Sequence, residues 1–131
     1  MPHILDGHLN KKGQAVGFHH RGDGIDPPNS RMTSQVGLKN PQDVYIGKVE
    51  VRDPANGNWV SKKSNKGEST FYPDNMTPKE IEVAVRHAYA DALRNNRIDH
   101  FGRFTGNSGL GFEIHGAAHH NEVATAYPIY K

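Results

Sequence analysis

The segment NMTPKEIEVAVRHAYADALRNN, residues 75–96, predicts the main helix of this chain and with it the layout of the fold. Thr77 is a favoured N-cap, Pro78 suits the first helical position, and Glu80 completes a capping box with Thr77. Hydrophobic residues recur at helical spacing on one face, at Ile81, Ala84, Val85, Ala88 and Ala92. We therefore expect a helix over about residues 77–95 that packs against a sheet.

Strands are predicted on both sides of this helix. Residues 44–52 are rich in β-branched side chains, and Trp59 resumes an extended run after a turn that contains Pro, Asn and Gly, which is typical of a hairpin. Gly47 interrupts the alternation, so we expect a bulge there. Polar, glycine-rich residues 1–41 are expected to be mostly loop, apart from the short run AVGF. Further short strands are predicted at residues 69–73, 101–105, 110–116 and 123–130. The pattern predicts an α+β fold of mostly antiparallel sheets with one main helix.

Composition limits the kinds of protein that the chain can be. Its 131 residues suffice for one compact domain, so we expect residues 1–131 to form a single domain. The formal net charge of +2 permits a polyanionic partner without requiring one. The lack of cysteine excludes disulfides, thiolate metal sites and thiol nucleophiles. No stretch approaches the roughly 18 consecutive apolar residues of a membrane span, so we expect no membrane contact.

The beginning of the chain, PHILDGHLNKKGQAVGFHHRGDG, crowds histidines into a polar loop. Metal binding is the first chemistry that such a loop suggests, because imidazole is a common ligand of zinc. The spacing argues against it, because the histidines of an adjacent pair such as His19-His20 point in opposite directions in a strand, and the chain has no HExxH motif. TGNSGLGFEIHG, residues 105–116, does not fit a phosphate-binding loop, because a strand rather than a helix follows it.

Two histidines could instead cleave RNA without a metal, by acid–base catalysis. A 2′-hydroxyl that attacks its adjacent phosphodiester needs one group to remove a proton and another to protonate the 5′-leaving oxygen, and imidazole titrates close enough to pH 7 for either task. A lysine or a backbone N–H would stabilise the charge that builds on the phosphoryl oxygens. Many histidine-rich sequences would fit this scheme, so composition alone does not decide for it.

The order of several short motifs resembles that of the bacterial EndoU endoribonucleases. His3 and Gly7 match the first histidine motif of the family, His-x-x-x-Gly, and Gly17 and His19 match the second, Gly-x-His. The stretch KGESTFYPDNMTPKEI is similar to the succession of lysine, strand, proline and helix in bacterial members.

The end of the chain carries the same resemblance. VATAYPIY is similar to the closing Thr-x-Tyr-Pro strand of the family, matched by Thr125, Tyr127 and Pro128. The matched motifs run from His3 to Tyr130 in the family's order, so the resemblance covers essentially the whole chain.

This resemblance implies three catalytic residues. His19 would be the general base that deprotonates the 2′-hydroxyl and His3 the acid that protonates the leaving oxygen, although the two roles could be exchanged. A lysine just upstream of the STFYP strand would supply positive charge. Lys62, Lys63 and Lys66 all lie there, and the spacing to the strand and the helix favours Lys66.

Substrate binding is implied at the last strand. Thr125 and Tyr127 share one face of that strand because side chains alternate. The resemblance implies that Tyr127 supports or stacks on the ribose and that Thr125 or Thr70 helps to select the base, whereas core packing beside Pro128 would equally suit a half-buried tyrosine. Some histidines match no family position, and we interpret them as contacting solvent or RNA: His8, His20, His115, His119 and His120.

The resemblance also implies an activity and a setting. An RNase A-like EndoU domain of this branch would cut single-stranded RNA, such as a tRNA loop, near uridine, leaving 2′,3′-cyclic phosphate and 5′-hydroxyl ends without a metal or cofactor. Bacterial members are often the C-terminal toxic domains of larger secreted or contact-dependent growth-inhibition proteins. We therefore expect a monomeric domain cut from a longer toxin, delivered to the cytoplasm of a target cell and paired with a cognate immunity protein.

Two other classes of function stay open at this point. A non-catalytic RNA- or protein-binding module could use the basic and aromatic residues while the histidines are incidental. A histidine-dependent metal phosphodiesterase would use the same imidazoles as ligands.

Overall fold

The computed structural model describes residues 5–131, which form nine strands and the long helix α1. Helix α1 spans Pro78–Arg94. The strands are β1 His8–Leu9, β2 Ala15–Val16, β3 Ser30–Val36, β4 Tyr45–Arg52, β5 Trp59–Ser61, β6 Glu68–Phe71, β7 Arg103–Asn107, β8 Glu113–His119 and β9 Glu122–Pro128. Short 3-10 turns occupy Gly22–Gly24 and Ser64–Gly67. All the strand pairs are antiparallel, so the predicted α+β class with one main helix is confirmed.

Helix α1 begins as the sequence predicts. The Thr77 side chain accepts a hydrogen bond from the backbone N–H of Glu80, and the Glu80 carboxylate accepts one from the backbone N–H of Thr77. The apolar stripe is buried along its whole length, at Ile81, Ala84, Val85, Ala88 and Ala92. No helix among residues 5–131 is long and apolar enough to cross a membrane.

The stripe packs on a three-stranded sheet of β7, β8 and β9. Phe104, Ile114 and Ala126 face the helix and belong to the larger core. Gly106 lies where the two layers come closest, because a Cβ atom there would be 1.9 Å from the carbonyl oxygen of Ala88. Residues that alternate with these core residues along the strands face away from the helix, and they include Thr125 and Tyr127.

A second, four-stranded sheet is built around β4. Strand β3 pairs with one edge of β4, whereas β5 and β6 pair with successive parts of it, at residues 50–52 and 45–48. Its inner side forms a smaller core from Phe18, Tyr45, Val49 and Phe71.

The prediction of a bulge at Gly47 is wrong. The register is irregular between Met32 and Ser34 on β3, opposite an unbroken β4. Gly47 instead provides room for a neighbour, since a Cβ atom there would lie 2.3 Å from the sulfur of Met32.

Two other boundaries differ from the sequence prediction. Residues 1–41 were expected to be mostly loop, yet Ser30–Val36 forms a seven-residue strand; its sequence SRMTSQV is too polar to show strand alternation. The strands predicted at residues 101–105 and 110–116 form later, as β7 Arg103–Asn107 and β8 Glu113–His119, and Leu110 between them is 53% exposed.

Candidate active site

A cleft opens where β6, an edge strand of the four-stranded sheet, approaches β9 of the three-stranded sheet. Its volume is about 400 Å³, within the range of pockets that bind small ligands. The cleft is lined by His19, Lys62, Asn65, Glu68, Ser69, Thr70, Thr125 and Tyr127. Four of the sequence-predicted site residues therefore lie together although they come from three distant segments of the chain: His19, Thr70, Thr125 and Tyr127.

A sharp turn delivers His19 to this cleft. Gly17 and Phe18 both have positive φ angles, 78° and 66°, and such a conformation is uncommon for a side chain as large as phenylalanine. Phe18 is fully buried and packs edge-to-face on Phe71 at 5.0 Å between ring centroids, so the inner core holds the turn in place. The backbone N–H of Tyr72 then donates to the carbonyl of His19 at 2.9 Å, which fixes the histidine beside β6.

The side chain of His19 has a defined tautomer. Its Nδ1 lies 2.8 Å from the carbonyl oxygen of Thr70. A carbonyl can only accept a hydrogen bond, so Nδ1 carries the proton and Nε2 presents a lone pair. The imidazole is therefore oriented as a proton acceptor.

The surroundings of His19 keep it neutral. Burial, reinforced by the positive charge of Lys62, lowers the pKa of His19 from 6.5 to about 4, although the hydrogen bond to the Thr70 carbonyl partly opposes the shift. His19 is 5% exposed. At neutral pH the ring is thus unprotonated, which suits a general base better than a general acid.

Lys62 is the lysine that the structure places in the cleft. Its Nζ donates a hydrogen bond of 2.8 Å to Oγ of Ser69, and Ser69 in turn donates to the carbonyl of Gly17. Burial lowers the pKa of Lys62. Lys66, favoured from the sequence, is exposed and does not line the cleft; its φ of 58° lies in the left-handed region within the turn at Ser64–Gly67.

Tyr127 forms the opposite wall of the cleft. Its ring stacks on the imidazole of His19, with 5.4 Å between centroids and an angle of 24° between planes. The ring also lies near His115, with 5.5 Å between centroids. Thr125 lies two residues earlier on the same face of β9, as predicted, while Ala126 between them is buried in the core.

Three lining residues were not predicted from the sequence: Asn65, Glu68 and Ser69. Asn65 and Glu68 precede the STFYP segment and Ser69 begins it, and the only sequence signal for them was their closeness to Lys62, Lys63 and Lys66. Thr70 contributes in two ways, since its carbonyl holds His19 and its buried hydroxyl has no hydrogen-bond partner among residues 5–131. A buried hydroxyl without a partner is costly, so a polar ligand atom would be favourable there.

The predictions for His3 and His20 have different outcomes. His3, the expected acid, lies outside the described residues. His20 was interpreted as contacting solvent or RNA, but it is 6% exposed and its Nε2 is buried without a partner in the described part of the chain, so the solvent interpretation is wrong.

Residues 5–131 contain no group of three or more His, Asp or Glu side chains arranged to hold a metal ion.

Together His19, Lys62 and Tyr127 can carry out the proton-abstraction step of a phosphodiester transfer. Nε2 of His19 can accept a proton, and the ammonium group of Lys62 can stabilise negative charge beside it. The ring of Tyr127 offers a flat surface next to both. The geometry therefore matches a site for deprotonating a hydroxyl next to an anionic group.

Comparisons with known proteins agree with this geometry. The family model of the bacterial EndoU nuclease matches residues 1–130. A Bacillus cereus protein named "Toxin" is 33% identical over 113 residues, which cover 86% of this chain and 18% of that protein. The chain thus spans under a fifth of the length of this relative, and no solved structure matches. Because the family model extends over nearly every residue, the chain belongs to the bacterial EndoU nuclease family.

Proposed function

We propose that this domain is an endoribonuclease toxin that cleaves single-stranded RNA by attack of the 2′-hydroxyl, leaving a 2′,3′-cyclic phosphate and a 5′-hydroxyl. The observation that carries the proposal is the tautomer of His19, whose Nδ1–H is held by the Thr70 carbonyl while Nε2 is available beside Lys62. A nuclease family and a relative named a toxin support the same assignment.

The catalytic roles follow from the environment of each group. His19 removes the proton of the 2′-hydroxyl because its lowered pKa leaves it neutral at pH 7. His3 supplies the proton for the leaving oxygen, as the family motif implies. We assign the cation to Lys62 in preference to Lys66, because Lys62 lines the cleft and lies close enough to affect the pKa of His19.

Substrate binding is assigned to the β9 wall. Tyr127 stacks on or supports the ribose, since its ring lies against His19. Thr125 and Thr70 select the base through their hydroxyls, and uridine is the base that the family favours. A tRNA loop is the proposed substrate, because its unpaired bases are accessible.

The biological setting is proposed from the relative and the family. The domain acts as part of a larger toxin that is secreted or displayed at the cell surface, reaches the cytoplasm of a target cell, and is neutralised by a cognate immunity protein in the producing cell. The catalytic domain itself works as a monomer and without a metal or cofactor, since two imidazoles and a lysine supply both proton transfers and the positive charge.

Incubation of the purified domain with total tRNA tests the proposal. We expect discrete fragments that end in cyclic phosphate from the wild type and from the control His119→Ala, whose side chain is exposed at the end of β8. His19→Ala should lose on the order of 10²-fold or more in rate, because one proton transfer is removed. Retention of tRNA without fragments would favour the binding module, and activity that disappears in EDTA and returns with a metal would favour the metal phosphodiesterase.

A further inference from the structure

The outward side of the four-stranded sheet carries an arginine–tryptophan cluster that the cleft does not use. Trp59 on β5 lies opposite Arg52 on β4, and Arg31 on β3 lies opposite Glu50, two residues before Arg52 on the same side of β4. The guanidinium carbons of Arg31 and Arg52 are 4.1 and 5.9 Å from the centroid of the Trp59 ring. Trp59 is the single tryptophan of the chain. The cluster thus combines a flat aromatic surface with two cations.

Positive charge is concentrated around this cluster. Strands β3, β4 and β5 with residues 62–67 contain six of the 16 Lys and Arg residues of the chain but only one of its 14 Asp and Glu residues, Glu50. Arg31 already pairs with Glu50, at 2.7 Å from Nε to Oε1. Lys48 and Arg52 are exposed on the same side of β4, and neither forms an ion pair in the described part of the chain. This region, the basic face, therefore has a local excess of positive charge although the chain as a whole is only +2.

The basic face is continuous with the cleft. Strand β5 leads directly into residues 62–67, of which Lys62 and Asn65 line the cleft. Trp59 precedes Lys62 by three residues, which is about 10 Å along an extended chain. The basic face therefore adjoins the cleft along the chain, at β5 and residues 62–67.

We infer that the basic face binds the part of a single-stranded RNA that extends beyond the cleft, with Trp59 stacking on a base and Arg52 and Lys48 contacting phosphates. This inference rests on the proposed RNA substrate. Aromatic side chains interleaved with cations are the usual surface for single-stranded nucleic acid, because bases stack on the ring and phosphates are drawn to the charges. Arg31 has a positioning role: its stack on the ring and its pair with Glu50 hold Trp59 in place.

A binding measurement with an RNA that cannot be cleaved tests the basic face separately from catalysis. The probe is a fluorescent 12-nucleotide oligouridine with 2′-O-methyl groups, which lacks the attacking hydroxyl and cannot be cleaved by the proposed reaction. We expect Trp59→Ala to weaken its binding about fivefold or more, the effect of losing one stacked base. Arg52→Gln should reduce the slope of log Kd against log salt concentration by about 0.7, because one phosphate contact is lost.

Two matched control variants remove an arginine and an aromatic ring that lie outside the basic face. Arg86→Gln deletes an exposed arginine of helix α1, whose side chain is 74% exposed, and Phe101→Ala deletes an aromatic ring that is 59% exposed. Both should bind the oligouridine as the wild type does. Cleavage of a uridine-containing dinucleotide should stay within twofold of wild type in Trp59→Ala and Arg52→Gln, because neither residue lines the cleft.

The outcomes distinguish this inference from the proposed function. Wild-type affinity of both Trp59→Ala and Arg52→Gln for the oligouridine would overturn the basic face as an RNA site, even if the wild type cleaves tRNA, and would leave it as a surface for a protein partner. Binding that depends on Trp59 without cleavage of any RNA would support the surface while refuting the nuclease mechanism. Circular dichroism of each variant confirms that the fold is retained, and Arg52→Gln tests the surface if Trp59→Ala does not fold.

Discussion

The stack between His19 and Tyr127, 5.4 Å between ring centroids, joins the loop that carries the proposed base to the last strand of the chain. The two residues line the cleft from opposite sides: His19 is held beside β6, and Tyr127 lies on β9. Because the sheets meet at this pair, we expect a change in Tyr127 to affect both the proposed binding of substrate and the position of the proposed base.

Tyr127 should therefore respond in graded fashion to substitution. Tyr127→Phe keeps the ring and should lower kcat/KM for a uridine dinucleotide by about 3- to 10-fold, the worth of one hydrogen bond from its hydroxyl. Tyr127→Ala also removes the stack and should cost at least about tenfold more. Steady-state kinetics checks both variants. Tyr130→Phe is the control, since the Tyr130 hydroxyl donates to the carbonyl of Leu38 away from the cleft, and equal losses in all three variants would argue against a site role for Tyr127.

Lys62 and Lys66 can be distinguished by the same substitution at each position. Lys62→Met should lower kcat by about 10²-fold or more, because the charge beside the phosphoryl oxygens is lost, whereas Lys66→Met should stay within about twofold. Removing the Lys62 charge should also raise the pKa of His19, since that cation lowers it. Kinetics and NMR titration of the His19 ring measure the two effects. Loss of activity in Lys66→Met alone would restore the lysine that the sequence favoured.

Gly106 should be indispensable for stability. A Cβ atom at this position would meet the carbonyl oxygen of Ala88 at 1.9 Å, so Gly106→Ala must push helix α1 away from β7. We expect a loss of about 1–3 kcal/mol in the free energy of unfolding, the usual cost of overpacking. Urea denaturation measures it. Gly22→Ala is the control, because its Cβ would lie 3.5 Å from the nearest atom, a ring carbon of His20, and a Gly106→Ala protein as stable as wild type would contradict the close packing.

Local sequence was sufficient for the helix and most strands but not for the details of the site. The capping box of Thr77 and Glu80 acts within four residues, so the sequence alone locates the start of α1. By contrast, the hydrogen bond from His19 to Thr70 joins residues 51 positions apart, and no periodicity could show it. The family motifs did point to four of the eight residues that line the cleft.

Spacing along the chain favoured Lys66, whereas Lys62 is the lysine that lines the cleft. Residues 64–67 form a 3-10 turn in which Asn65 and Lys66 have positive φ angles, and this turn leaves Lys66 exposed. Lys62, at the end of the β5 segment, instead follows the strand direction and reaches Ser69 on the inner side. Strand β3 was missed for a related reason: its pairing with β4 compensates for a polar sequence that carries little strand signal by itself.

The neutral, buried His19 should make the fold sensitive to mild acid. Its pKa is about 4 in the folded chain and 6.5 when exposed, so between these values the unfolded state binds more protons and acid favours unfolding. The stability is therefore complete above about pH 6.5 and declines as the pH falls toward 4. Between pH 7.5 and pH 5 the single group should cost about 2 kcal/mol in the free energy of unfolding.

Urea denaturation at the two pH values measures this loss, and His19→Gln supplies the comparison. The variant has no titrating ring at position 19, so the difference between pH 7.5 and pH 5 should shrink by about the same amount. NMR titration should place the His19 ring in its neutral form with Nδ1 protonated at pH 6, as the contact with the Thr70 carbonyl requires. An unchanged pH dependence in His19→Gln, or a His19 ring that titrates near 6.5, would show that the imidazole is solvated and would remove the physical basis for its role as the neutral base.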